Sequence, residues 1–296
     1  MLGLGTMSYS SDLNRRRRPL LFRKLTDAAL RLFSFAAIAV AVGGMGWILF
    51  CVLRYGVGAL DWGFLLNPSK PFGLPDNGIA NAVLGTLLIT GVSAAITVPL
   101  GIAAGIYLSE FGRHSRIAHF LRFSANVMMG MPSILVGLFV YIIFVVPSGH
   151  FSGFAGSLAL GIIMFPVVMR TTEDMLAMVP YTLRESALAL GMTRARTTLA
   201  VVCRSARNGL VTGVLLAIAR VSGETAPLLF TALFADTWPS RFFSAPTANM
   251  PVLITQYADS PFPTVQSAAW GAALVITLLV LTLNIFTRMV FRERGQ

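Results

Sequence analysis

Six long apolar stretches constrain what this 296-residue chain can fold into more than any other feature of its sequence. An α-helix needs about 20 predominantly apolar residues to cross the hydrocarbon layer of a membrane. Each stretch comes close to that length or exceeds it. We therefore predict an all-α, polytopic membrane protein with about six transmembrane helices, at Leu32–Leu53, Ile79–Ser109, Phe123–Val146, Phe151–Met169, Gly209–Phe234 and Val265–Thr287.

The composition agrees with a membrane protein. Hydrophobic residues make up 55% of the chain and charged residues only 12%, whereas about 25% of a soluble domain is charged. The net charge of +11 does not predict a nucleic-acid partner, because the arginines flank apolar runs that meet membrane lipid. Cys51 and Cys203 fall in a predicted span and a predicted cytoplasmic loop, so we predict no disulfide. The three histidines lack metal-ligand spacing, and we predict no metal and no cofactor.

The amino terminus is predicted to be an anchor and not a cleaved signal. Arg15–Arg18 followed by an apolar run resembles a signal peptide. Leu32–Leu53 is too long for a signal core, however, and no small-residue cleavage site follows it. We therefore assign residues 1–31 to a basic cytoplasmic segment and 32–54 to the first transmembrane helix. In a six-span arrangement, 19 of the 23 lysines and arginines lie on one side, which predicts that both termini are cytoplasmic.

Span five places two opposite charges near the middle of an apolar run. Arg220 and Glu224 are four residues apart, so on a continuous helix they share one face. A charge at the centre of a bilayer costs about 2.5–3.5 kcal/mol even on the lenient insertion scale, and intramembrane charges commonly mark a transport pathway. The planar guanidinium of Arg220 matches phosphate or carboxylate oxygens, and Glu224 would hold it in place. The structural alternative is a salt bridge that only pins this helix to its neighbours.

Three further residues bear on the predicted pathway. Pro227 deprives the Gly223 carbonyl of its helical donor, and Gly223 allows a backbone or a ligand to approach closely, which predicts a polar kink beside the charges. Pro99 predicts a second kink, in span two. Arg170, at the inner end of span four, is a candidate for a second cation on the exit side. An arginine that only reaches to lipid phosphate is the alternative.

The polar loop 170–207 is predicted to form a helical elbow on the cytoplasmic face. Thr182 and Glu185 have the spacing of a capping box, which predicts a helix from Leu183 onwards. Gly191 suits the left-handed position that ends this helix, and Thr193 can cap a second one. The residues expected on the packed face of the first helix are Leu183, Ala187 and Leu190.

Glu185-Ser186-Ala187, followed after three residues by Gly191, resembles the Glu-Ala-Ala-x-x-x-Gly loop of bacterial ABC importer permeases. In that family the loop docks into a cleft of the cytoplasmic ATPase. Ser186 departs from the pattern, since alanine is usual there. The resemblance implies a coupling role for Glu185, Ser186, Ala187 and Gly191.

The wider resemblance, over about residues 77–292, is to the permease subunits of phosphate importers. It is carried by Gly101–Gly112, Pro132–Tyr141, Arg170–Leu176, Val179–Gly191 and Leu215–Leu233. It implies a type I ABC importer core in the bacterial inner membrane and a role for Arg220 in translocation. It also implies a second permease subunit, a cytoplasmic ATPase dimer and a periplasmic phosphate-binding protein. The chain itself has no P-loop and is expected to be non-catalytic.

Other readings remain open at the level of sequence. Arg220 does not distinguish phosphate from another oxyanion such as sulfate or molybdate. A secondary transporter that uses Glu224 as a proton carrier is a different class, and it would not need the elbow around Gly191. A pure sensor subunit would carry no phosphate flux.

Overall fold

The computed structural model describes residues 20–71, 77–112 and 115–290, and these contain α-helices and no β-strand. The chain divides into two units, Met1–Cys51 and Val52–Gln296, and the described part of the first is a single helix. The helices are α1 Leu20–Gly56, α2 Trp62–Leu66, α3 Ala80–Ile106, α4 Arg116–Gly130, α5 Ser133–Val140, α6 Val146–Ser148, α7 Gly153–Ala177, α8 Tyr181–Ala189, α9 Arg194–Thr197, α10 Cys203–Val221, α11 Ala226–Thr231, α12 Met250–Ala258 and α13 Pro263–Val290.

Five helical stretches of the described chain are long and apolar enough to cross a membrane. A sixth candidate is the pair Arg116–Gly130 and Ser133–Ser148, which is bent by 104°. The prediction of about six spans is therefore confirmed, with one span broken. The five unbroken stretches are Lys24–Ala59, Ala80–Phe111, Gly153–Ala177, Arg194–Val221 and Pro263–Ile285.

The packing of α3 against α7 explains why the bent pair must be a crossing. Gly161 lies against Thr97, and Gly105 lies against Thr172, so the two helices run side by side in the same direction. The chain between them must return along their whole length. The bent pair does so: Ala118 of α4 packs with Met169 near the end of α7, and residues 140 and 145 pack with 155 and 159 near its start.

Several predicted boundaries are wrong, because polar residues extend the helices beyond their apolar cores. Helix α7 continues to Ala177, and the helical stretch of span five already begins at Arg194. The segment between these long helices therefore runs from Met178 to Thr193, much shorter than the predicted loop 170–207. Span five also stops at Val221 and does not continue to Phe234. Helix α3 runs through Pro99 without a break.

The predicted outer segments pack around buried polar side chains. Asn81 accepts a hydrogen bond from the Ser69 backbone and donates one to the Ser69 hydroxyl, both at 2.8 Å. The Asn249 side chain caps helix α12 by accepting a hydrogen bond from the Val252 N–H. Tyr257 of α12 shares a hydrogen bond with Asn77, and burial raises the pKa of its phenol.

Candidate translocation and coupling site

The two charges of span five lie on either side of a break in the helix. Arg220 is in the last turn of α10, which ends at Val221, and its side chain is exposed. Glu224 is half-buried in the link before α11. Among the described residues no ion pair joins the two, so the predicted pair on one helix face is wrong. The reason is that an i, i+4 relationship requires a continuous helix, and the helix ends between them.

Pro227 accounts for this break. It is the second residue of α11, where a proline costs nothing, because the first N–H groups of a helix have no intrahelical acceptor. The kink predicted at Gly223 and Pro227 is therefore a complete interruption. The Ser222 hydroxyl donates to the Ala219 carbonyl at 2.8 Å and helps to close the last turn of α10. Gly223 itself has open space around it, since a Cβ there would come no closer than 3.9 Å to the Arg220 carbonyl oxygen.

An open cleft of about 480 Å³ lies beside the break. Gly223 and Thr225 line one side of it, and α12 and α13 line the other. The hydroxyls of Thr255 and Thr277 face the cleft region but donate to carbonyls of their own helices. The cleft is thus mainly apolar, and it adjoins the link that carries Glu224.

Arg170, the candidate for a second cation on the exit side, belongs to a cluster of ion pairs. Its guanidinium pairs with Glu173 one turn later in α7, with Nη1 2.7 Å from Oε2. The second carboxylate oxygen of Glu173 accepts from Nε of Arg122, also at 2.7 Å. Arg122 further donates to the Leu108 carbonyl at 3.0 Å. Two cations thus share one carboxylate. The i, i+3 spacing of Arg170 and Glu173 was the sequence signal for half of this cluster.

The Arg170 cluster and Arg220 lie at different levels of the bundle. Gly213 of α10 packs against Thr171 of α7, which places the Arg170 cluster level with residue 213. Arg220 is seven residues further along α10, or about 10 Å at 1.5 Å per residue. The two sites therefore do not form one binding pocket in this chain.

The predicted elbow is present as α8 and α9. Gly191 has φ of +81° and ends α8, as predicted. Its N–H donates to the Leu188 carbonyl and the Met192 N–H to the Ala187 carbonyl, the paired bonds of a Schellman motif. Thr193 caps α9 through the Arg196 N–H, also as predicted. The capping box at residues 182 and 185 is wrong, because α8 begins two residues earlier, after Pro180.

The elbow turns most of its side chains outward. Glu185 and Ser186 are exposed, whereas Ala187 is only 5% exposed. Leu183 and Leu190, predicted on the packed face, are exposed, because α8 turns inward the side that carries Arg184 and Ala187. The inward neighbour of Ala187 is Arg184, whose side chain is also buried.

Comparison with known proteins identifies the class to which this arrangement belongs. Residues 97–294 match the family described as binding-protein-dependent transport system inner membrane component. The inward-facing methionine ABC transporter MetNI has a chain of similar fold, with a TM-score of 0.61 and 17% identity over 74% of this chain and 96% of that chain. The chain belongs to this family of ABC importer permeases. It is a multi-pass membrane subunit of a transporter whose family name implies a binding protein.

The similarity is narrower at the level of sequence. The phosphate transport system permease protein PstA of Haemophilus influenzae is 43% identical over 92% of this chain and 96% of its own length. PstA of Yersinia pestis is 42% identical over 99% of both chains. PstA 1 of Mycobacterium tuberculosis strain H37Rv is 35% identical over 94% of this chain and 93% of its own. Within the permease family, the chain falls among the PstA proteins.

Proposed function

We propose that this chain is the transmembrane permease subunit of an ATP-driven phosphate importer and that Arg220 contacts the anion during passage. The observation that carries the proposal is an exposed arginine without an ion-pair partner among the described residues, at a helix break in an apolar span. A cation in an apolar span is stabilised when an anion or another subunit meets it. The substrate class comes from the relatives, which are named as phosphate permeases.

The position of Arg220 supports a pathway at the surface of this chain. Its side chain is exposed, and the break leaves the adjoining backbone at Gly223 open. A second permease subunit, of the PstC type, would face this surface and complete the pathway. Glu224, half-buried four residues later, would disfavour a second anion near the first.

The remaining partners follow from the elbow and from the family. A cytoplasmic ATPase dimer of the PstB type would receive the exposed residues Glu185 and Ser186, while Gly191 fixes the direction in which the elbow projects. A phosphate-binding protein of the PstS type would deliver the substrate on the outer side. Both termini would then be cytoplasmic. Arg170, with Arg122 and Glu173, leaves one net positive charge at the inner end of α7 that would attract the anion as it exits.

The test of substrate and energy source is labelled phosphate uptake by vesicles that hold the whole complex. We expect uptake to require ATP inside the vesicles, to persist when proton gradients are dissipated, and to resist excess sulfate or molybdate. Competition by sulfate would indicate a different oxyanion. Uptake that follows the proton gradient without ATP would contradict an ATP-driven importer, and the absence of flux would favour a sensor.

A further inference from the structure

The ion pair between Arg184 and Glu110 connects the elbow to a membrane-spanning helix. We propose that this pair is the link through which movement of the elbow reaches α3, so that both residues position the pathway without touching substrate. The proposal rests on the proposed function, in which the elbow docks on an ATPase. It assigns a coupling role to Arg184 and Glu110, in addition to the four elbow residues that the sequence motif indicates.

All three nitrogens of the Arg184 guanidinium donate hydrogen bonds. Its Nη2 lies 2.7 Å from Oε1 of Glu110, and its Nε lies 3.2 Å from both carboxylate oxygens. Nη1 donates to the Val179 carbonyl at 2.6 Å, and Nη2 donates to the Leu176 carbonyl at 2.7 Å. The side chains of Arg184 and Glu110 are only 7% and 10% exposed. One residue thus joins α8, the end of α7 and the end of α3.

The surroundings make this side chain the rigid part of the connection. The backbone of α8 lies beside α9 and the turn that follows it, 198–202. A cavity of about 170 Å³, lined by Tyr181, Leu188 and the ion pair itself, separates the elbow from the end of α3. At this cavity, the elbow and the end of α3 are therefore not joined by close packing of side chains. A buried, forked arginine with several fixed acceptors can transmit a displacement that loosely packed apolar side chains would absorb.

Glu110 lies at a point where the hydrogen-bond register of the helix can change. Glu110 lies in the π turn Tyr107–Phe111 that ends α3. Turns of this kind hold an extra residue and frequently occur at functional sites. On the other side of the same turn, Arg122 holds the Leu108 carbonyl. Arg122 would hold one side of the π turn while a displacement of Arg184 moved the other side. The resulting movement of α3 would reach α7 through the glycine contacts between the two helices.

The test measures coupling and not activity alone. The wild-type complex and the variants Glu110→Gln, Arg184→Gln and the double variant are reconstituted with all subunits. Phosphate uptake and ATP hydrolysis, stimulated by phosphate-loaded binding protein, are recorded on the same preparations. Arg196→Gln, an exposed arginine of the same elbow outside the pair, is the matched control.

We expect the double variant to assemble, because it leaves no buried charge without a partner. We expect its phosphate transported per ATP to fall by about fivefold or more, the lower end of typical coupling between sites. Each single variant that assembles should show the same loss, with no further loss in the double variant. Arg184→Lys, which retains the charge without the fork, should assemble and lose part of the coupling.

Three results would overturn the link. A double variant with the wild-type ratio of phosphate to ATP would show that the pair is structural only, and so would an unchanged ratio in an assembled Arg184→Lys variant if the double variant does not assemble. Loss of the ratio in Arg196→Gln as well would show that any change in the elbow uncouples the complex. If the wild-type complex itself transports no phosphate, the proposed function fails, whatever the variants do.

Discussion

Gly137 of α5 lies directly against Pro227 of α11, and a Cβ at residue 137 would stand 2.6 Å from the Cα of Pro227. The proline that interrupts span five is thus held by the broken span before α7. Pro227 and Gly137 are both buried. The Thr231 hydroxyl donates a hydrogen bond to the Pro227 carbonyl at 2.7 Å. The segment that follows the break after Arg220 is therefore held by packing between two interrupted spans.

Gly137→Ala should displace α11, because a methyl group cannot fit against the backbone at Pro227. Overpacking of this kind costs about 1–3 kcal/mol. We expect the purified complex to unfold at a lower temperature and to transport more slowly. Gly130→Ala is the control, since a Cβ at that residue meets no atom within 4 Å. Equal melting temperatures for the two variants would contradict the tight contact.

Gly191→Val should disrupt the elbow, because residue 191 has φ of +81° and a β-branched side chain resists that conformation. The left-handed region costs an ordinary residue about 1–2 kcal/mol. We expect stimulated ATP hydrolysis and phosphate uptake to fall together. Gly191→Asn, which tolerates this region, should retain most of both. Wild-type function in the valine variant would remove the docking role of the elbow.

Glu173→Gln should destabilise the complex more than Arg170→Gln. The first change leaves Arg122 and Arg170 facing each other without their shared carboxylate, whereas the second leaves Glu173 paired with Arg122. Removing one side of a buried charge pair costs about 3–5 kcal/mol. The arginines are partly exposed, so we expect roughly 2 kcal/mol for Glu173→Gln. Thermal unfolding of both variants measures the difference, and a larger loss for Arg170→Gln would contradict the shared-carboxylate arrangement.

Reporter fusions test the orientation. A reporter after Gln296 or near Met192 should be cytoplasmic, and one near Ser240 should be external, because most cations lie on the side of the first two. A reporter that is active outside the cell when fused after Gln296 would contradict an even number of spans with cytoplasmic termini.

Sequence reasoning succeeded where the signal is local. Gly191 and Thr193 carry their structural roles in their own backbone preferences, so the end of α8 and the cap of α9 were predictable. Long apolar stretches likewise fixed the number of spans. The break at Pro227 was anticipated as a kink, because proline acts on the helix that contains it.

The failures concern contacts between distant residues and the phase of helices. Glu110 and Arg184 are 74 positions apart in the chain, and nothing in either neighbourhood indicates the other. Arg220 and Glu224 were placed on one helix face by periodicity, which does not hold across a break. On α8, Ala187 is buried as predicted, but the other buried side chain is Arg184 and not Leu183, because the Arg184 guanidinium is bound by Glu110, a distant residue of the chain.

The most direct test of the account is phosphate uptake by the reconstituted complex that carries Arg220→Gln. Arg220 has no ion pair within the described residues, so its loss should leave assembly and melting temperature unchanged. Each hydrogen bond to a charged group contributes about 1.5–3 kcal/mol, so we expect uptake to fall by roughly tenfold to hundredfold. Arg241→Gln, an exposed arginine on the predicted outer side, should transport normally. Near-normal uptake by an assembled Arg220→Gln complex would contradict the claim that this arginine contacts the anion.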